Sequence, residues 1–248
     1  MRTLVAIAFG LGACGGGSAS APSPAKGDTL SGSAFEVPKR QTPPPVIEWK
    51  DHAFATDALP AVAKAGEVVV VPIRITDERG YANLRIEVRD RTDTTVETIQ
   101  VMTPNEYESL APGGNPSNAL LHRISDANAE LAKLHGMHDL VPMGPLEIQP
   151  PADSTPTHLA MGDGLDIDWN GDHLHVFRHN QDRPVFTRDG HAWLAPPHQS
   201  TAGACNFPSF LRAAYHAPQL SVVVVQLAYR SPSDACGVPS DQFHVIAW

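Results

Sequence analysis

The chain has 248 residues, 42% hydrophobic and 18% charged, with 18 basic against 27 acidic side chains and a formal net charge of -9. That length admits one ordinary domain or two small ones, and no apolar run approaches the roughly 18 residues that a membrane-spanning helix needs. The acidic balance argues against a nucleic-acid partner, because phosphate contacts require clustered Lys and Arg.

Met1-Arg2-Thr3 sets one positive charge before the apolar stretch of residues 4–9, and Leu11-Gly12-Ala13-Cys14 follows directly. This is the charged, apolar, small-residue order of an export signal. At these residues the chain resembles a bacterial lipoprotein, in which a Leu-x-small-Cys lipobox is cleaved before a diacylated cysteine. The resemblance covers the first 14 residues and points to no functional family. It implies that residues 1–13 are a signal peptide, that Cys14 is the lipidation site, and that the protein is anchored in the cell envelope. Gly15, where some lipoproteins carry an acidic residue, implies the outer membrane. Residues 14–45 then hold Gly15-Gly16-Gly17-Ser18 and, later, Pro43-Pro44-Pro45. Small and Pro-rich segments bury too little area to order themselves, so they read as a tether that stiffens toward its end. With Cys14 lipidated, Cys205 and Cys236 remain, and an even remainder in an oxidising compartment implies a disulfide between them. The chain-entropy model gives such a closure about 3 to 4 kcal/mol.

From Leu59 onward the hydrophobic period is two. Residues 60–64 lead through Ala65-Gly66 into a segment where Val69, Val71, Ile73 and Ile75 share a face. Pro72 has no N–H to donate, which predicts an edge strand or a bulge. Residues 83–89 alternate as a half-buried antiparallel strand does, and a fourth strand at 95–102 follows a polar turn at 91–94. This four-stranded meander resembles a β-propeller blade, with imperfect echoes at residues 165–195 and 210–248. Three units are fewer than the usual four to eight blades, so an open or sandwiched sheet is the other expectation.

Between the first and second unit the period changes. Thr103-Pro104-Asn105-Glu106 has capping-box spacing with Pro at the first helical position, predicting a short helix to about Leu110. Ser117 then caps a longer helix in which Leu120, Leu121, Ile124, Ala127, Leu131 and Leu134 recur at three and four, ending at Gly136. In the last unit, Leu220 to Leu227 is a near-continuous apolar run, which predicts a strand buried on both faces and central in its sheet. Residues 243–248 supply a partner strand.

The segment Leu165-Asp166-Ile167-Asp168-Trp169-Asn170-Gly171-Asp172-His173-Leu174-His175 carries the chemistry. Its opening matches an EF-hand calcium loop, but the twelfth position is Phe177 where a bidentate Glu belongs. Asn170-Gly171 instead predicts a two-residue hairpin turn. That register sets Asp168 opposite His173 and Asp166 opposite His175, with the apolar Ile167 and Leu174 on the other face. Asp166, Asp168, His173 and His175 are therefore the candidate metal ligands, suited to zinc or copper, with His179 or His191 as further donors. The same four also make sense as opposite-charge cross-strand pairs on a solvated face.

The expected fold class is mainly β, antiparallel meanders arranged as propeller-like blades or a sandwich. Residues 46–248 form one domain, with a helical insertion of one short and one longer helix at about 104–136. No Gly-x-Ser-x-Gly elbow or Gly-rich phosphate loop occurs. The expectation is a lipid-anchored envelope protein presenting a non-catalytic binding or scaffolding domain without a cofactor, its partners the membrane and other envelope proteins. A metal-binding protein or metal-dependent hydrolase built on the Asp/His face is the alternative.

Overall fold

Antiparallel pairing accounts for every ladder in the computed structural model, which describes residues 42–75, 77–149, 158–162, 164–179, 181–193, 198–200, 203–205, 207–230 and 239–248. Cys14, Cys236, the leader and residues 14–41 of the tether lie outside the described residues. The first hairpin pairs β1 (Val46–Lys50) with β2 (Ala53–Asp57). Its two turn residues, Asp51 and His52, both take positive φ, at 51° and 62°. That left-handed geometry suits the twist of paired strands, and His52 is held in it by a 2.8 Å hydrogen bond between Nδ1 and the Gly114 carbonyl.

The expected meander follows as β3 (Ala61–Ala63), β4 (Val68–Ile73), β5 (Leu84–Asp90) and β6 (Thr95–Met102), and β7 (Leu140–Pro142) returns to close the sheet in the order β6-β5-β4-β3-β7. Pro72 is thus on an interior strand, which corrects the simple edge expectation. The physical demand is still met, because β3 is only three residues long and pairs with Val69 and Val70 alone, so Pro72 lies beyond its reach. The helical insertion contains α1 (Tyr107–Leu110) and α2 (Asn118–His138). Ahead of α1, the Glu106 carboxylate accepts from the Thr103 N–H at 2.9 Å, and the Ser117 hydroxyl caps α2 by accepting from Leu120 at 3.2 Å. Gly136 does not end α2. The helix continues to His138, and Asp139 takes the left-handed cap at φ 50°, its carboxylate 2.8 Å from Lys64 Nζ. Leu120, Ile124, Ala127, Leu131 and Leu134 bury against the first sheet as expected, whereas Leu121 is 48% exposed and leaves the stripe.

The chain then forms β8 (Gly144–Pro145) and a second sheet from β9 (Glu147–Gln149), β10 (His158–Gly162), β11 (Leu165–Trp169), β12 (His173–Arg178) and β13 (Phe186–Asp189), each paired with the next. A small hairpin joins β14 (His198–Ser200) to β15 (Gly203–Cys205). The final sheet contains β16 (Ser209–Ala217), β17 (Val222–Tyr229) and β18 (Gln242–Ala247), with β8 on its far edge, in the order β18-β17-β16-β8. As expected, β17 is central and buried on both faces.

Those two faces set the architecture. Val222 and Val224 pack with Val69, Val71 and Ile73 of the first sheet, while Val223, Val225 and Leu227 pack with Ile167, Leu174 and Val176 of the second. The third sheet is therefore the middle layer of three, and α2 covers the outer side of the first. The protein is mainly β, and its three meanders meet as stacked layers.

Trp169, fully buried, ties the second sheet to the third through a 3.1 Å bond from Nε1 to Ser209 Oγ. Gly190 lies against its ring, where an added Cβ would fall 2.5 Å from Cζ3. Gly190→Ala is expected to keep the fold but lose about 1 to 3 kcal/mol through overpacking, read as a lower urea midpoint at unchanged slope. An unchanged midpoint would show that the tryptophan can give way.

Candidate functional site

The β11–β12 hairpin turns one residue later than its Asn-Gly pair predicts. Gly171, at φ 107°, and Asp172 form the turn, and the Asn170 N–H donates to the His173 carbonyl at 3.2 Å. The Asn170 side-chain oxygen accepts from the N–H groups of Asp172 and His173 at 3.2 and 2.9 Å, so asparagine braces the turn from its shoulder. The resulting register pairs Trp169 with Leu174, Ile167 with Val176, Asp168 with His175 and Asp166 with Phe177. This corrects the expected pairing of Asp168 with His173 and Asp166 with His175. Burial explains the slip, since it sets two fully buried pairs together, where the expected register would place Trp169 against the exposed Asp172.

Each partner shifts by two, so the faces survive and Asp166, Asp168, His173 and His175 still share the outer surface. Their hydrogen bonds run in different directions. His173 Nδ1 lies 2.7 Å from Asp172, His175 Nδ1 lies 3.0 Å from the Thr187 hydroxyl on β13, and Asp166 lies 3.6 Å from His179. His191, the other candidate donor, opens a short 3-10 turn with its N–H on Asp189 at 2.8 Å. Burial pushes the Asp168 carboxyl up against the opposing pull of His175, and the hydrogen bond that His173 donates to Asp172 raises its imidazole. Among the described residues, no group of three or more His, Cys, Asp or Glu is placed to hold a metal.

An enclosed polar cluster lies where the β5–β6 turn meets β18. Glu87, 5% exposed, accepts from Arg89 at 2.6 and 2.9 Å and from Arg85 at 2.8 Å. Arg89 reaches on to Asp93 at 2.8 Å and to the Phe243 carbonyl. Asp93, held at φ 68°, accepts from His244 Nδ1 and from the Val245 N–H, each at 2.7 Å. The His244 ring stacks on Trp193 with centroids 4.2 Å apart, and its buried Nε2 has no hydrogen-bond partner among the described residues. Burial alone would raise the Asp93 carboxyl, but the bonds from His244 and Val245, with the charge of Arg89 beside it, outweigh that and hold it below its ordinary value. This constellation clasps the first sheet to the last strand.

An open pocket of about 280 Å³ lies between β2 and the β4–β5 connection. Phe54, Ile75 and Ala82 give it apolar walls, and the Asn83 side chain closes its floor by pairing with both backbone groups of Ile75 at 2.7 and 2.8 Å. Asp77 also lines it, but Arg79 engages that carboxylate at 3.0 and 2.8 Å and holds it low. Arg79 in turn covers the ring of Tyr81, which stacks on Tyr107 at 4.6 Å. Arg74 is different. Its guanidinium donates to the Phe54 carbonyl at 2.8 Å, and among the described residues no carboxylate forms an ion pair with it. Neither Arg74 nor the clasp carries a motif in the sequence. Arg85, Glu87 and Arg89 alternate as any solvated strand face does, and only the presence of another layer makes them an enclosed network.

No protein-family model matches the chain, and no curated protein or solved structure matches it. The clasp supplies a direct test of what joins the layers. Asp93→Asn keeps the shape but takes one of two carboxylates from the buried Arg89 guanidinium, and about 3 kcal/mol of stability should be lost at neutral pH. A carboxyl with a lowered folded pKa contributes stability above its ordinary value, near 3.8, and loses it as pH falls through the folded value. The wild type should therefore weaken more steeply than Asp93→Asn below about pH 4 in urea titrations. Parallel pH profiles would deny the clasp its role.

Proposed function

We propose that this chain is a lipid-anchored protein of the bacterial cell envelope, acylated at Cys14 and facing its partners on the residue 14–45 tether, whose β-rich body binds ligand without catalysis. The lipobox and the Pro-rich spacer support the anchoring. The observation that carries the binding reading is Arg74, a guanidinium that has no carboxylate partner among the described residues and lies beside an apolar-walled pocket. A planar guanidinium takes a carboxylate or phosphate through two parallel bonds, and Phe54 and Ile75 offer contact to a short apolar body. The pocket volume falls near the lower end of small-molecule sites, roughly 300 to 1,000 Å³, so the fitting ligand is a small anion with one apolar face.

Benzoate is a suitable probe of that chemistry. Calorimetric titration should show binding that Arg74→Ala weakens by at least about tenfold, the cost of one charge-assisted pair. Equal affinity in the variant, or no binding by either protein, removes the pocket from consideration. Anchoring is tested separately by growth with labelled palmitate and fractionation of membranes. Label should enter the wild type in the outer-membrane fraction and be lost in Cys14→Ala, and an unlabelled wild type would end the lipoprotein proposal.

A further inference from the structure

The strongest unassigned chemistry lies on β12. His173 and His175 are two residues apart on one strand, so both project from the outer face, with rings nearly parallel at 8° and centroids 6.2 Å apart. Each ring has its Nδ1 engaged, His173 by the Asp172 carboxylate and His175 by the Thr187 hydroxyl. The Asp172 carboxylate can only accept, which puts the proton on His173 Nδ1 and the lone pair on Nε2, and the Thr187 hydroxyl can accept from His175 Nδ1 to the same effect, the arrangement that metal-binding imidazoles use. We propose that His173 and His175 form a two-nitrogen chelate, through Nε2, for a divalent ion of the zinc, copper or nickel type.

The surroundings favour such an ion. Asp168 faces His175 from β11 and Asp189 faces His173 from β13, so carboxylates on both neighbouring strands supply negative potential beside the pair. Two bonds of about 2.0 to 2.1 Å at a tetrahedral angle need nitrogens roughly 3.3 Å apart. With parallel rings 6.2 Å apart by centroid, chelation requires the two imidazoles to tilt toward each other, and water would complete the coordination. Imidazole ligands select zinc, copper and nickel over magnesium and calcium, which prefer oxygen. Site and ion are independent of the Arg74 pocket, so either can fail alone. No step of bond cleavage is involved.

The test uses the full-length protein without an affinity tag, titrated with Cu2+ and Ni2+. One equivalent of Cu2+ should give an electron paramagnetic resonance spectrum with two nitrogen ligands. His173→Ala and His175→Ala should each weaken binding by more than about tenfold, since losing even an outer-shell partner of a ligand costs 10- to 100-fold, while His122→Ala, on the exposed face of α2, leaves it unchanged. Thr187 is a positioning residue in this scheme. Thr187→Val should lower affinity at an unaltered melting temperature and Thr187→Ser should restore it. Unchanged affinity in either histidine variant, a spectrum with one nitrogen, or equal competition by Mg2+ overturns the proposal.

Discussion

A strand that is apolar on both sides cannot sit at the surface of a two-layer sandwich. Val222, Val223, Val224 and Val225 are all fully buried in β17, and their side chains point alternately to opposite faces of the sheet. Burying both rows requires a sheet on each side, which the first and second meanders provide. At about 25 cal/mol per Å² of apolar surface removed from water, this one strand anchors two separate cores. The helix α2 packs on the outer side of the first sheet, the face turned away from β17.

Stacking three sheets creates a second problem, because the polar faces of the outer strands meet neighbours. Glu87, Arg89 and Asp93 lie where the first sheet approaches β18, and there they become an enclosed network with His244. Groups of this kind are costly to bury singly, and here Arg89 and the two carboxylates partner one another while His244 joins through Nδ1. Their arrangement satisfies the edge N–H of Val245 as well, so the same carboxylate that neutralises Arg89 also completes the backbone accounting of the last strand.

Periodicity made much of this fold legible. The alternation in residues 83–89, the stripe from Leu120 to Leu134 and the valine run each have one physical solution, and the protein adopts it. What the pattern could not specify was settled by tertiary packing. The Asn-Gly pair signalled a hairpin, but the alternative turn at Gly171-Asp172 brings Trp169 opposite Leu174, and that burial outweighed the local preference. Gly136 resembled a stop signal, yet Asp139 took the left-handed cap with Lys64 as its ionic partner. The outer-face identity of Asp166, Asp168, His173 and His175 was readable because a two-residue change of partner preserves the faces. Their hydrogen bonds were not, since Thr187 arrives from a strand that nothing near the histidines announces. Arg74 and His244 were invisible for the same reason: their significance lies in what is, or is not, packed beside them.

The contact between Asp93 and His244 spans 151 positions of chain. The Asp93 carboxylate therefore completes its set of partners only when a long stretch of chain closes on itself. Long-range closures of this sort slow folding, because the entropy of a large loop is spent before its contacts form. Without β18 in place, one edge of β17 would present unpaired backbone groups, the kind of edge that recruits strands from other chains.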